Sequence, residues 1–176
     1  MNMRKTAIAT AFTALISGSV FAATDGTMGA TSTGQVDLDL EVLDSVAISS
    51  LDNIDFGQYG GSDTGDINAG DSYCVYVNGG DDYNITPTSS NGKFSLVGTL
   101  GDEINYTVKL AGAATGASSQ SAVSYNTASS TYQGSNAVDC GSTNNASVDV
   151  SITESELRKA STDTYSDTLI LMVSPI

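Results

Sequence analysis

The chain has 176 residues, 20 Asp and Glu against six Lys and Arg, a formal net charge of −14, and neither histidine nor tryptophan. Without histidine there is no Ser-His-Asp triad, no Cys-His dyad and no His-bearing metal site. With so few cationic side chains, nucleic acid is excluded as a partner, because phosphate binding depends on Lys and Arg.

The first 22 residues read as a secretory signal. Arg4 and Lys5 supply the positive start, residues 6–21 are apolar or small, and Val20-Phe21-Ala22 fits a small-residue cleavage site before Ala23. The run is shorter than the ~20 apolar residues a spanning helix needs, so the expectation is an exported, released chain that is not membrane-embedded. After cleavage only Lys93, Lys109, Arg158 and Lys159 remain against the 20 acids, which suits a soluble, self-repelling surface protein.

The mature chain reads as strands. Val36-Asp37-Leu38-Asp39-Leu40-Glu41-Val42 alternates without a break, apolar on one face and acidic on the other. The same parity runs back through Gly34, Ser32, Ala30 and Met28. Further strands are expected at 46–51, 54–59, 73–77, 83–88, 94–97, 104–110, 146–152 and 165–173. Gly- and Asn-rich turns separate them, among them Gly60-Gly61, Asn78-Gly79-Gly80-Asp81 and Asn91-Gly92. Many short strands with such turns predict an all-β sandwich or barrel. Only 153–160 has a helical look, with Leu157 facing inward. Residues 111–136, rich in Ala, Ser, Thr and Gly, predict a long loop or a weak hairpin pairing 123–125 with 131–133. Cys74 and Cys140, the only cysteines, predict one disulfide in an oxidising compartment. Closing a loop of roughly 65 residues is worth on the order of 4 kcal/mol by chain entropy.

Groups for chemistry are sparse. Residues 61–71 are dense in Asp and Gly, but their order does not match the ligand offsets of a calcium loop, so an ordinary surface loop is expected. Carboxylate pairs of the glycosidase kind are inevitable among 20 acids and carry no signal. No enzyme activity, cofactor or metal is predicted. One alternative is a secreted monomeric carbohydrate- or surface-binding module, with Tyr76, Tyr83, Tyr125 and Tyr132 as exposed stacking platforms.

The chain closes on Asp167-Thr168-Leu169-Ile170-Leu171-Met172-Val173, a run apolar on both sides, as expected of a strand buried on both faces. Such a strand needs a neighbour for its backbone. Together with the opening strand it brings a family into view. Gly34-Gln35-Val36-Asp37-Leu38 resembles the first strand of spore-coat-protein-U-type pilins, subunits of archaic chaperone–usher pili such as the Csu pilus. Ile54-Asp55-Phe56-Gly57 is similar to their short strand end. Tyr73-Cys74-Val75-Tyr76 with Tyr83-Asn84-Ile85-Thr86 resembles their central hairpin, and Tyr165-Ser166-Asp167-Thr168-Leu169 their closing strand. Two departures stand out: Asp163 occupies a position often held by Gly, and the first strand lacks the cysteine of the Csu-type major subunit, leaving Cys140 as the partner of Cys74.

The resemblance implies an immunoglobulin-like β-sandwich that is incomplete and is completed by a donor strand from a neighbouring subunit. It divides the chain into a signal peptide (1–22), a leader with donor strand (23–43) and a pilin body (44–176). Donor residues would be Val36, Leu38, Leu40 and Val42, extended by Met28 and Ala30. The acceptor groove and closing strand would hold Tyr165, Leu169, Ile170, Leu171, Met172 and Val173. Implied partners are further copies of the chain head-to-tail, a periplasmic chaperone and an outer-membrane usher, in a surface pilus serving attachment and biofilm formation. The alternation of residues 35–42 by itself also suits a first strand paired within its own body.

Overall fold

The computed structural model describes residues 23–113 and 120–176; the signal-peptide expectation lies outside the described residues. The chain divides between Val42 and Leu43 into two units.

In the N-terminal unit, Thr24 and Gln35 exchange both backbone hydrogen bonds, at 3.0 and 2.9 Å, and close a loop whose bend holds residues 28–31. Met28 and Ala30 sit in that bend, so they do not continue the alternation of 36–42 as the sequence suggested. Residues 36–45 belong to no ladder.

The body is an all-β, immunoglobulin-like sandwich whose ladders are all antiparallel. One layer takes β1 (Val46–Ser49), β2 (Ile67–Val77), β6 (Thr107–Ala111), β7 (Ser121–Val123) and β9 (Ala146–Ile152), in the order β1-β2-β9-β6-β7. Facing it are β3 (Asp82–Ser89), flanked by β8 (Tyr132–Gln133) and β11 (Leu169–Pro175), and β4 (Ser95–Gly98), flanked by β5 (Glu103–Asn105) and β10 (Tyr165–Ser166). β3 and β4 behave as one strand interrupted by residues 90–94, since both pair with the same closing stretch, β3 with β11 and β4 with β10. Period-two alternation builds the core between the layers. Tyr73, Val75 and Val77 meet Tyr83 and Ile85 across it, over Val108, Leu110, Val148, Val150 and Ile152.

Several local expectations change. The run 104–110 is not one strand: it crosses from β5 to β6 at Tyr106, whose N–H bonds Phe94 O at 3.1 Å. The predicted hairpin at 123–125 and 131–133 does not form. β7 pairs with β6 and β8 with β3, so this stretch crosses between the layers. Residues 67–71, expected within an Asp-rich loop, are the first half of β2, held by β9. Residues 54–59 form no strand. The helical segment is a single turn, α1 (Glu154–Leu157), with Leu157 buried.

Cys74 and Cys140 are bonded, with Cα atoms 5.8 Å apart, tying β2 to a 3-10 turn at Cys140–Ser142. Beside them Asn145 imitates a strand partner: its Oδ1 accepts from Val75 N at 2.8 Å and its Nδ2 donates to Val75 O at 3.0 Å. Because the bond closes a long loop onto a central strand, replacing both cysteines by Ser should lower unfolding free energy by about 2–4 kcal/mol, measured by urea denaturation; an unchanged midpoint would contradict this.

Candidate functional site

The closing strand does not bury both faces. Leu169, Leu171 and Val173 pack toward the core, whereas Ile170 and Met172 are 48% and 56% exposed on the outer face. β11 is hydrogen-bonded to β3 along one side only, and β1 to β2 along one side only. Each therefore offers an edge of backbone groups without a ladder partner.

β1 ends at Ser49, and Ser50 takes a left-handed backbone (φ 61°) that lies outside the extended region a strand requires. Beyond it the chain stays irregular, yet Ile54, Phe56 and Tyr59 still pack against the core. Asp55 Oδ1 accepts from Gly57 N at 2.8 Å, and Gly57 has φ 69°, so a local side-chain turn replaces a ladder at this point. Ile54-Asp55-Phe56 does run inward–outward–inward, as its pattern indicates, but alternation reports which way side chains face, not whether a neighbouring strand is present.

Between this segment and the closing stretch lies an apolar groove of about 420 Å³. One wall is Leu51 to Ile54, including Asp52 and Asn53, with Phe56; the other is Asp167 to Leu169 with Leu171; Leu96, Tyr106, Val148 and Val150 line the rest. A second depression of about 940 Å³ shares Ile54, Phe56, Leu96 and Asp167 with it and extends along Ile104, Ile152, Leu157 and Tyr165. Core side chains of both layers thus line an opening flanked by backbone that forms no ladder. Of the predicted acceptor residues, Tyr165, Leu169 and Leu171 line these depressions and Val173 faces the core. Ile170 and Met172 do not belong to the groove.

One carboxylate fixes the groove wall. Asp167 sits where β10 gives way to β11 and accepts from the hydroxyls of Ser89, Ser90 (2.8 Å) and Tyr106 (2.7 Å), and from the Thr168 N–H (2.7 Å). It thereby joins the end of β3, the 90–94 excursion and the β5–β6 crossing. Burial alone would raise its pKa, but the hydrogen bonds from Ser89, Tyr106, Ser90 and Thr168 outweigh burial and hold the carboxyl below its ordinary value. Burial first, and then the bond to Asp167, push the Tyr106 phenol above its usual value. The sequence offered the Tyr-x-Asp-Thr pattern here but nothing that pointed to Ser89 or Tyr106. Asp163 acts in a similar way. Its carboxylate accepts from Thr99 Oγ1 (2.7 Å) and Leu100 N (3.1 Å), holding the β4–β5 turn against the start of β10.

In the N-terminal unit, Val36, Leu38, Leu40 and Val42 are all exposed, Leu38 and Leu40 by 88% and 89%. They are accompanied by exposed Asp37, Asp39 and Glu41.

The tyrosine platform of the binding-module alternative is not assembled. Tyr83 is fully buried and packs on half-buried Tyr132, with ring centroids 5.8 Å apart; Tyr125 sits edge-on to Phe94 at 5.6 Å; Tyr76 is half-buried. Among the described residues no three Asp, Glu or Cys side chains gather where they could share a cation, and no helix is long and apolar enough to cross a membrane.

No family model matches the chain, and no curated protein matches it. Among solved structures, it is similar to a chain of one described as "Chaperone-tip adhesin complex is vital for synergistic activation of CFA/I fimbriae biogenesis", at 16% identity and a TM-score of 0.47. The similarity covers 74% of this chain and 42% of the other, so this chain spans less than half that protein's length.

Because the Asp167 carboxyl is depressed in the folded state, its contribution is complete above the unfolded carboxylate pKa of ~3.9 and is lost as pH falls through the lower folded value. Asp167→Asn should therefore lower Tm at neutral pH and flatten the decline of Tm below about pH 4. A variant whose Tm falls with acid as steeply as the unaltered chain's would contradict this assignment.

Proposed function

We propose that the chain is a structural subunit of an adhesive pilus of the chaperone–usher kind, and that residues 36–42 of one copy fill the groove of the next. The observation that carries this reading is the groove itself: an opening lined by core side chains between the irregular segment after β1 and the closing stretch, in a chain that also presents an amphipathic segment outside any ladder.

The chemistry of the two parts is complementary. An extended strand repeats every two residues over about 6.6–6.8 Å, so Val36, Leu38, Leu40 and Val42 present four apolar side chains along one face, roughly 20 Å end to end. Burying each stabilises the pair by ~1.5–3 kcal/mol before ordering entropy. The backbone of the inserted segment meets the free edge of β11, the strand-addition mode of peptide recognition, with the irregular segment after β1 on its other side. Asp37, Asp39 and Glu41 stay in water.

The contact is head-to-tail and does not close on itself, so it produces a filament. Before assembly the exposed core needs cover. A periplasmic chaperone lending a strand supplies it, and an outer-membrane usher provides the place of exchange. Attachment to surfaces and biofilm formation follow from a filament on the cell exterior. Of the carboxylates along the groove, Asp167 is taken up by four donors and serves the structure of the wall.

Leu38→Asp with Leu40→Asp places two charges where the groove requires apolar groups. The exported double variant should remain a monomer by analytical sedimentation, while the unaltered chain forms polymer. Polymer of normal length from the double variant would overturn the reading.

A further inference from the structure

The β11 flank of the groove is electrically neutral on its outer face, in a chain that carries 20 acids. The residues of β11 that point outward are Ile170, Met172 and Ser174, and their partners across the ladder are Thr88, Thr86 and Asn84. None of the six is charged. Asp167, at the head of this strand, is taken up by four donors, and Asp82 lies past Asn84 at the far end of β3, paired with Gln133. The opposite flank differs, because Asp52 and Asp55 stand on the irregular segment after β1. The cations are engaged elsewhere. Lys93, Arg158 and Lys159 pair with Glu103, Glu154 and Glu156, and Lys109 lies opposite Asp149 on the other layer.

A strand added to the free edge of β11 shares its pleat, so side chains on one face become neighbours across the two strands, whichever way the added strand runs. With Val36, Leu38, Leu40 and Val42 on the side of Leu169, Leu171 and Val173, the acids Asp37, Asp39 and Glu41 fall on the side of Ile170, Met172 and Ser174. Cross-strand neighbours have Cβ atoms about 4.5–5.5 Å apart, and like charges placed there destabilise the pairing. An acidic edge would reject this strand. Inward groups decide whether a strand fits the groove; outward groups on β11 decide which charge it can carry.

We infer that Ile170 and Met172, 48% and 56% exposed, determine the charge specificity of the groove: they keep the edge of β11 neutral, so that it admits a strand with acids at alternate positions, residues 36–42 of a second copy. This rests on the donor-strand reading above and adds to it the charge class of the strand admitted.

The test uses the full exported chain with its disulfide intact, unfolded in denaturant and refolded without a chaperone at about 0.01 M and about 1 M salt, where the screening length differs about tenfold. Sedimentation gives the polymer-to-monomer ratio, and each variant is compared with the unaltered chain at the same salt. Ile170→Glu with Met172→Glu should lower the ratio about tenfold at low salt, and the deficit should close at high salt. Ile170→Lys with Met172→Lys should raise the ratio at low salt and lose that advantage at high salt. Ile170→Gln with Met172→Gln, which is polar but neutral, should recover the polymer that the Glu pair loses. If the Glu pair does not fold, Met172→Glu alone decides, with a smaller deficit in the same direction. The assignment is overturned if the unaltered chain polymerises and the Glu and Lys pairs shift the ratio in the same direction, or not at all, or if the Gln pair is as poor as the Glu pair. An unaltered chain that forms no polymer at either salt overturns the donor-strand reading itself, and the charge specificity with it.

Discussion

Backbone hydrogen bonding constrains this body more than any single contact. Each strand carries donors and acceptors that must be paired or hydrated, and most of the sandwich pairs them within its ladders. Several of the exceptions lie around one opening. β1 stops at Ser50, the following segment keeps Ile54 and Phe56 against the core without a ladder, and β11 pairs only with β3. Between them the core reaches the surface. An apolar opening bordered by free strand edges is a hazard in a monomer and a binding site in an assembly, and the difference is whether a matching strand is at hand.

The groove keeps its shape through polar contacts rather than apolar packing alone. Asp167 gathers three hydroxyls from β3, the excursion after it and the β5–β6 crossing. Asp163 does the same for the β4–β5 turn. Each carboxylate sits at a place where one strand hands over to another, where backbone pairing is interrupted and side chains must replace it. Asn78 and Asn145 answer the same need on the opposite layer. A core of Val, Ile, Leu and Tyr supplies the driving force for collapse, while these few polar groups select the strand register and hold the opening ready.

Much of the fold was legible in the sequence because period-two alternation survives in the long strands. Val148, Val150 and Ile152 on β9, and Tyr83 and Ile85 on β3, face the core as their spacing indicates. The turn glycines at 79, 80, 92 and 101 take the positive φ values that their turns require. What alternation could not convey was pairing. It has the same pattern at 54–59, which has no ladder, and at 73–77, which has one. It suggests a hairpin at 123–133, where the two short strands belong to different layers. It misses the crossing at Tyr106, because a strand that changes sheets keeps its local pattern. Hydropathy likewise overstates the burial of Ile170 and Met172 on β11. An outer sheet face tolerates single apolar side chains, as folded surfaces do generally. The polar stitches around the opening were not foreseen, since Ser89, Ser90 and Tyr106 carry no signal until the chain brings Asp167 to them.

In the filament proposed above, the amphipathic arm and the groove edges would become ordered together, between copies. Hydrogen–deuterium exchange read by mass spectrometry on assembled and dissociated chain addresses this directly. Slow exchange of residues 36–42 together with residues 169–171 in the polymer, and fast exchange of both in dissociated monomer, is the predicted result. A polymer whose arm amides exchange as fast as those of the dissociated chain would contradict it.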